Sequence, residues 1–139
     1  MLKRLQTIKE VIHIIKVEDD VEKRYNCKKG EWIQFLTKIV EDDRVFIIAS
    51  FNEYEEIVGY VIAQNAVVPP LGWYVHIIYA YSPGNKENFL MMEEIKKWGL
   101  LIGAREISAT VKPAGVDRLL KYGFIESEFK ILKFKINEE

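Results

Sequence analysis

Apolar residues recur at helical spacing near the start of the chain. Leu5, Ile8, Ile12 and Ile15 lie three or four positions apart, and this spacing predicts a helix from about residue 3 to residue 17. After a polar, irregular loop, the segment EWIQFLTKIVED repeats the same spacing. The first third of the chain therefore predicts two helices.

The pattern then changes to that of strands. RVFIIASF and EIVGYVIAQNAVV are rich in Val, Ile, Phe and Tyr, and the segment NEYEE between them is typical of a hairpin loop. WYVHIIYAY is apolar on both faces, as in a central strand covered on two sides. After a Ser-Pro-Gly-Asn turn, an apolar helical stripe runs from Met91 to Ile102, and Gly103 is placed to end that helix.

Three further elements follow in the last third of the chain. REISATV predicts a strand, and PAGVDRLLKY predicts a short helix opened by Pro113. In FKILKFKI apolar residues alternate with lysines, which is typical of an edge strand. The predicted order is α-α-β-β-β-α-β-α-β. This order favours an α/β (α+β) fold with helices on both faces of a mixed, mostly antiparallel sheet, in which a parallel pair flanks residues 85 to 102.

Length and composition limit the classes of function. A chain of 139 residues predicts a single domain, residues 1–139, with a core of its own. The 20 basic and 21 acidic residues are well mixed, so we expect neither nucleic acid nor a membrane as partner. Cys27 is the single cysteine, which excludes an internal disulfide and a Cys/His zinc cluster. We expect no metal site.

The stretch from Ile57 to Asn85 contains no Asp, Glu, Lys or Arg, and such a length raises the possibility of a membrane span. However, Pro69 and Pro70 would break a helix near its middle. Two buried strands explain the stretch better. Charged residues also interrupt any apolar run at the N-terminus, so we find no signal peptide and expect a cytoplasmic protein.

The order and its details resemble the GNAT superfamily of N-acetyltransferases over about residues 29–136. Three features carry the resemblance: the hairpin VFIIASFNEYEEIVGYVIAQ with Gly59, the central strand that leads by a turn into a long helix, and the ending RLLKYGF, which closes on Gly123-Phe124. Residues 1–28 would be an N-terminal helix and loop. Because the chain is predicted to open with a helix, the usual first strand of the family is not evident.

The resemblance implies that acetyl-CoA is the co-substrate, with its pyrophosphate on backbone amides at the start of the long helix. The candidate cofactor-binding residues are then Ala80, Ser82, Gly84, Asn85 and Lys86. The family motif, roughly Gln/Arg-x-x-Gly-x-Gly/Ala, is degenerate, because its two glycines align with Lys86 and Asn88. The alternative is a turn made by Pro83-Gly84 with a capped helix. The Pro-Gly loop before this helix resembles those of small GNAT-like proteins from phages and prophages.

The candidate catalytic residues are His76 and Tyr81. A histidine has a pKa suited to a general base; the alternative is a buried histidine hydrogen-bonded to a backbone carbonyl. Tyr81 shares a predicted face with Tyr79 and could line the cleft, or could be an ordinary core aromatic. The tyrosine that often serves as general acid in the family aligns with Leu119.

Two hypotheses for the function remain open. The first is an N-acetyltransferase that moves acetyl from acetyl-CoA to an unidentified small-molecule or peptide amine, through a ternary complex. The second is a catalytically inactive GNAT-fold module for binding or assembly, motivated by the degenerate loop and by Leu119. A homodimer formed through the apolar face of the N-terminal helix is a further possibility.

Overall fold

The computed structural model describes residues 1–17, 28–68, 72–81, 85–111, 113–127 and 132–136. One five-stranded sheet runs in the order β1-β2-β3-β4-β5. Its strands are β1 (Leu2–Leu5), β2 (Val45–Phe51), β3 (Ile57–Val68), β4 (Gly72–Tyr81) and β5 (Ile107–Ala109). Four helices are described: α1 (Ile8–Val17), α2 (Lys29–Ile39), α3 (Asn85–Leu101) and α4 (Pro113–Lys121).

The sheet is mixed and mostly antiparallel, as the sequence predicts. The pairs β1–β2, β2–β3 and β3–β4 are antiparallel. β4 and β5 are parallel, and α3 connects them, because two parallel neighbours need a crossover. The charge-free stretch from Ile57 onward thus forms β3 and β4. In the described part of the chain, no helix combines the length and apolarity needed to cross a membrane.

The prediction of one helix from residue 3 to 17 is wrong at its start. Leu2–Leu5 forms β1, which pairs antiparallel with the end of β2, so the first strand that the GNAT resemblance seemed to lack is present. A capping box begins α1: the Thr7 hydroxyl accepts from the Glu10 backbone N–H at 3.2 Å, and the Glu10 carboxylate accepts from the Thr7 backbone N–H at 3.1 Å. The sequence signal is T-I-K-E.

Two apolar clusters cover the two faces of the sheet. The first cluster joins α1 and α2 to the sheet through buried residues such as Val11, Ile14 and Leu36. The second cluster places α3 on the opposite face, with Met91 and Ile95 fully buried. This is the predicted stripe of α3, and complete burial of each such side chain contributes about 1.5–3 kcal/mol. β4 lies between β3 and β5, with helices packed on both faces of the sheet.

The predicted edge strand FKILKFKI is wrong for the residues that the structure describes. Residues 132–136 form no strand there, and Leu132, Phe134 and Ile136 are 92, 92 and 96% exposed. Residues 129–131 lie outside the described residues. The chain just before this segment does follow the prediction. After α4 the chain turns at Gly123, with φ of 100°, and the Phe124 backbone N–H donates to the Leu119 carbonyl, which is a glycine helix ending.

Candidate functional site

The pairing between β4 and β5 stops four residues before β4 ends. Three residue pairs join the strands, from Val75↔Ile107 to Ile77↔Ala109. β5 ends at Ala109, whereas β4 continues to Tyr81. Ligands of α/β sheets bind outside the carboxyl ends of parallel strands, where the connections diverge. The candidate site therefore begins where the β4–β5 pairing ends.

The N-terminus of α3 lies at the same end of the sheet as the C-terminal end of β4. The helix begins at Asn85, four positions after the last residue of β4. Its first four backbone N–H groups lack partners within the helix, and the helix dipole favours an anion there. The Lys86 side chain is exposed, so its ammonium is accessible to such an anion. Ser82 and Gly84 lie outside the described residues, as does the side chain of Asn85.

Asn88 stands where the family motif has a glycine, and the sequence alone did not predict a role for its side chain. It lies in the first turn of α3, and its side-chain Nδ2 atom is buried with no hydrogen-bond partner among the described residues. A buried amide donor without a partner costs about 1–3 kcal/mol. Asn88 thus has an unsatisfied N–H donor in the first turn of α3, whereas the spacing of the motif alone indicates only a lost glycine.

A β-bulge changes which face the end of β4 presents. Ile62 pairs with Tyr79, but the next residue, Ala63, pairs with Ile77, so Ile78 is the extra residue. Ile77 packs in the second cluster, while Tyr79 packs against the first. The bulge thereby reverses the alternation of β4 at the point where its pairing with β5 ends. Bulges of this kind often occur next to active sites.

Tyr79 and Tyr81 share one face, as predicted, and both contact aromatic rings of the first cluster. The Tyr79 ring centroid lies 4.8 Å from that of Trp32 and 5.5 Å from that of Phe35. The Tyr81 ring lies 6.1 Å from that of Tyr60. Ring packing of this kind fixes the side chains of both tyrosines on the sheet face that α1 and α2 cover, opposite the face that α3 covers.

Ala80 lies between these two tyrosines on β4. It pairs with Val61 of β3, and it is exposed. A small exposed residue on a strand end lets a ligand approach the backbone closely. The position suits the predicted contact with the cofactor, which remains a prediction.

His76 is hydrogen-bonded to a side chain of the neighbouring strand. Its Nδ1 atom lies 2.9 Å from the Oγ of Ser108, which is its partner in the parallel register. Burial lowers the pKa of His76, because desolvation disfavours the charged imidazolium. The ring is therefore neutral at pH 7. A neutral ring whose Nδ1 is engaged by a hydroxyl keeps Nε2 for a second partner.

The partner of His76 differs from the backbone carbonyl considered in the sequence reading. Ser108 was not among the predicted site residues. It is 32 positions away in the chain, and only the parallel register brings the two side chains together.

The two predicted catalytic residues are far apart. His76 and Tyr81 are five positions apart on one strand, which corresponds to about 16 Å at the usual strand rise. One reacting atom cannot contact both. His76 lies where β4 and β5 still pair, while Tyr81 is the last residue of β4.

A second aromatic pair connects the start of α3 to the end of α4. Phe89 and Tyr122 stack with ring centroids 6.3 Å apart. Burial raises the pKa of Tyr122, partly offset by the positive charge of Arg118. Tyr122 therefore packs against Phe89 of α3. Leu119, at the position aligned with the family's tyrosine, has no hydroxyl to donate.

An open cavity of about 540 Å³ lies beside the N-terminal half of α3. Its wall combines Lys86, Glu87 and Leu90 with the ends of β1, β2 and β3. No residue of β4 or β5 lines it, but it shares Lys86 with the candidate anion site at the start of α3. Among the described residues, no group of three or more His, Cys, Asp or Glu side chains is arranged to hold a metal ion.

Comparison with solved structures shows what this architecture is similar to. A probable acetyltransferase superposes with a TM-score of 0.81 at 12% identity, covering 100% of this chain and 99% of the other. A ribosomal-protein-alanine N-acetyltransferase from Brucella melitensis biovar Abortus gives 0.76 at 9% identity, covering 98% and 99%. A predicted acetyltransferase from Clostridium acetobutylicum, solved with acetyl-CoA, gives 0.78 at 13% identity, covering 98% and 97%.

The chain has the GNAT fold. The match extends over at least 97% of both chains in each comparison. No family model matches the sequence, and no curated protein is similar to it at the level of sequence. At 9 to 13% identity the likeness establishes the fold and leaves the reaction to be argued from the site.

Proposed function

We propose that the protein is an N-acetyltransferase that moves the acetyl group of acetyl-CoA to an amine. The observation that carries the proposal is the end of the β4–β5 pairing at Ile77↔Ala109, on the side of the sheet where α3 begins. A strand end and a helix N-terminus then face one ligand. The backbone at the strand end suits the thioester of acetyl-CoA, and the helix N-terminus suits its phosphates.

The residues at the start of α3 fit a pyrophosphate. Asn85 begins the helix, so its backbone and the next N–H groups supply donors, and Lys86 adds an exposed positive charge. The buried Nδ2 of Asn88 adds a donor without a partner among the described residues. These groups replace part of what the missing loop glycines would provide. Ser82 and Gly84 are proposed to complete the turn.

The proposed reaction needs orientation, an oxyanion donor and a proton acceptor. The amine nitrogen forms a bond to the acetyl carbon, the carbon–sulfur bond breaks, and the CoA sulfur leaves as a thiolate that takes up a proton. Backbone near Ala80 would orient the thioester. His76, neutral at pH 7 and held by Ser108, lies about 13 Å along the strand from Ala80, so it would accept the amine proton at Nε2 through a chain of waters. Tyr81, about 16 Å further along the strand, would line the channel toward the turn.

Calorimetric titration with acetyl-CoA, with CoA alone as reference, tests the cofactor step. We expect micromolar binding of both ligands. Lys86→Glu should weaken this binding about tenfold or more, because it places a negative charge beside the phosphates. The matched control is Lys97→Glu at the other end of the same helix, which should leave affinity unchanged. An absence of binding at millimolar ligand would refute the proposal.

A thiol-release assay over a panel of amines tests the chemical step. His76→Ala should lower the rate by about 10²–10⁴-fold while leaving acetyl-CoA affinity intact. The panel should include aminoglycosides and peptides with a free N-terminus, because similar folds occur in a 6'-aminoglycoside N-acetyltransferase from Acinetobacter baumannii and in the ribosomal-protein-alanine enzyme.

Leu119 supports a second candidate, a GNAT-fold module that binds without turnover. A hydroxyl is missing at the position that the family's general acid often occupies, and the loop glycines are replaced by Lys86 and Asn88. Binding of acetyl-CoA without turnover of any amine would favour this candidate. The cytoplasmic location and the similarity of the turn to phage and prophage proteins remain predictions from the sequence.

A further inference from the structure

The open cavity beside the N-terminal half of α3 lies where the sheet carries small residues. On the face that α3 covers, Ile48 and Val61 are paired across β2 and β3 and belong to the second cluster. The next pair on that face is Ser50 and Gly59, which together present one short side chain. The cavity of about 540 Å³ lies between Ser50 and the helix, and its volume is in the usual range for sites that bind small molecules.

The wall of this cavity is largely apolar. Its apolar side chains belong to Met1, Leu2, Phe51, Val58 and Leu90. Val58 reaches the wall through a β-bulge: Ser50 pairs normally, but Phe51 pairs with Ile57, so Val58 is the extra residue of β3. Asn52 also lines the cavity, and its Oδ1 atom already accepts hydrogen bonds from two backbone N–H groups of the hairpin. The wall therefore suits a ligand with an apolar body.

Three polar side chains of the wall have no partner among the described residues. Ser50 is only 5% exposed, yet its hydroxyl forms no hydrogen bond there. Glu87 is half-buried and Lys86 is exposed, and neither side chain forms an ion pair or a hydrogen bond with a described residue. Both lie within one turn of Leu90, so they flank the same apolar side chain. A buried polar group is favourable only when water or a ligand satisfies it.

We propose that this cavity binds a zwitterionic apolar amino acid, such as leucine, at a site separate from the end of the β4–β5 pairing. The carboxylate would bind Lys86, the ammonium would bind Glu87, and the Ser50 hydroxyl would form a hydrogen bond with the same polar head. The apolar side chain of the ligand would lie against the apolar part of the wall. An acid without the ammonium would place a second carboxylate beside Glu87, and an amine without the carboxylate would place a second ammonium beside Lys86. Charge complementarity therefore selects the zwitterion.

Heteronuclear NMR titration of the full chain with L-leucine tests the proposal. It is done without acetyl-CoA, so the result does not depend on the proposed transferase reaction. We expect amide shifts at Ser50, Val58 and Glu87, with a Kd on the order of 100 µM. L-Leucinamide, which lacks the carboxylate, and isocaproate, which lacks the ammonium, should bind at least about tenfold more weakly. No shifts at millimolar L-leucine would overturn the proposal, and so would equal affinity for either analogue.

Variants identify the side chains that bind the amino acid. Glu87→Gln should weaken L-leucine binding about tenfold or more, because the ammonium loses its counter-charge. The matched control is Glu94→Gln on the same helix, where the carboxylate pairs with Lys97 outside the cavity, and affinity should stay unchanged. Leu90→Trp, at a position 40% exposed, should fill the cavity and abolish binding, while circular dichroism verifies that the variant folds. Unchanged affinity in Glu87→Gln or in Leu90→Trp would overturn the assigned site, as would an equal loss in Glu94→Gln.

Discussion

The imidazole of His76 lies 2.9 Å from the hydroxyl of Ser108, and this bond joins β4 to β5 at the middle of their three-residue parallel pairing. β5 is short and lies at the sheet edge, so each interaction that attaches it affects the geometry of the candidate site. The bond also sets the ring orientation of the residue proposed to accept a proton.

Removing the Ser108 hydroxyl should destabilise the fold moderately. We expect Ser108→Ala to lower the free energy of unfolding by about 0.5–1.5 kcal/mol, the usual range for a hydrogen bond between side chains. A double-mutant cycle with His76→Ala, measured by urea unfolding, isolates the interaction. Simple additivity of the two single changes would show that the contact contributes nothing to stability.

Stability should fall as the pH drops through the ordinary pKa of histidine. Burial lowers the pKa of His76 below its ordinary value of 6.5, so between the folded pKa and 6.5 the unfolded chain binds more protons. The free energy of unfolding then rises with pH in that window and levels off above it. Urea unfolding from pH 5 to 8 checks the trend, and His76→Gln should flatten it. If the free energy of unfolding depends on pH equally in His76→Gln, groups other than His76 cause the dependence.

Glu10 should make a separate contribution at lower pH. Its hydrogen bond from Lys3, followed by one from the Gln6 backbone, lowers the pKa of Glu10 from 4.5 to about 2. The resulting stability is complete above pH 4.5 and is lost as the pH falls toward 2. Glu10→Gln should cost about 0.5–2 kcal/mol at pH 7, because the cap loses its charge, and should remove this acid dependence.

Glu94→Gln is the matched control for this prediction. Glu94 forms an exposed pair with Lys97 at 3.2 Å, and exposed pairs contribute little. Acid unfolding followed by circular dichroism should therefore be nearly the same as in the unmodified chain. Equal loss in both variants would mean that general charge effects, and not the cap, determine the stability.

Periodicity was sufficient to predict the parts of the fold where one residue type repeats. The stripe through Met91, Ile95 and Trp98 is buried, because residues at a 3.6-residue period lie on one face of a helix. The boundary between β1 and α1 was missed, since Leu5 belongs equally well to the apolar pattern of either element. The capping box at Thr7 and Glu10 is the local signal that separates them.

Properties that depend on register could not be predicted from the sequence. The bulge at Ile78 and the contact between His76 and Ser108 arise from how distant segments align. Alternation in residues 132–136 predicts a strand, but pairing also requires a neighbouring strand, which the local pattern does not identify. The order of strands and helices along the sequence was therefore enough to predict where the candidate site lies. The contacts within it could be identified only from the structure.

Two glycines allow a direct test of backbone conformation. Gly103 ends α3 with φ of 77°, and a Cβ there would meet no atom within 4 Å. Gly103→Ala should therefore cost about 1 kcal/mol through left-handed strain alone. Gly30, near the start of α2, also has open space for a Cβ and no positive φ, so Gly30→Ala should stabilise the helix by up to about 1 kcal/mol. Thermal unfolding of both variants should show shifts of opposite sign, and shifts of the same sign would contradict the assigned conformation of Gly103.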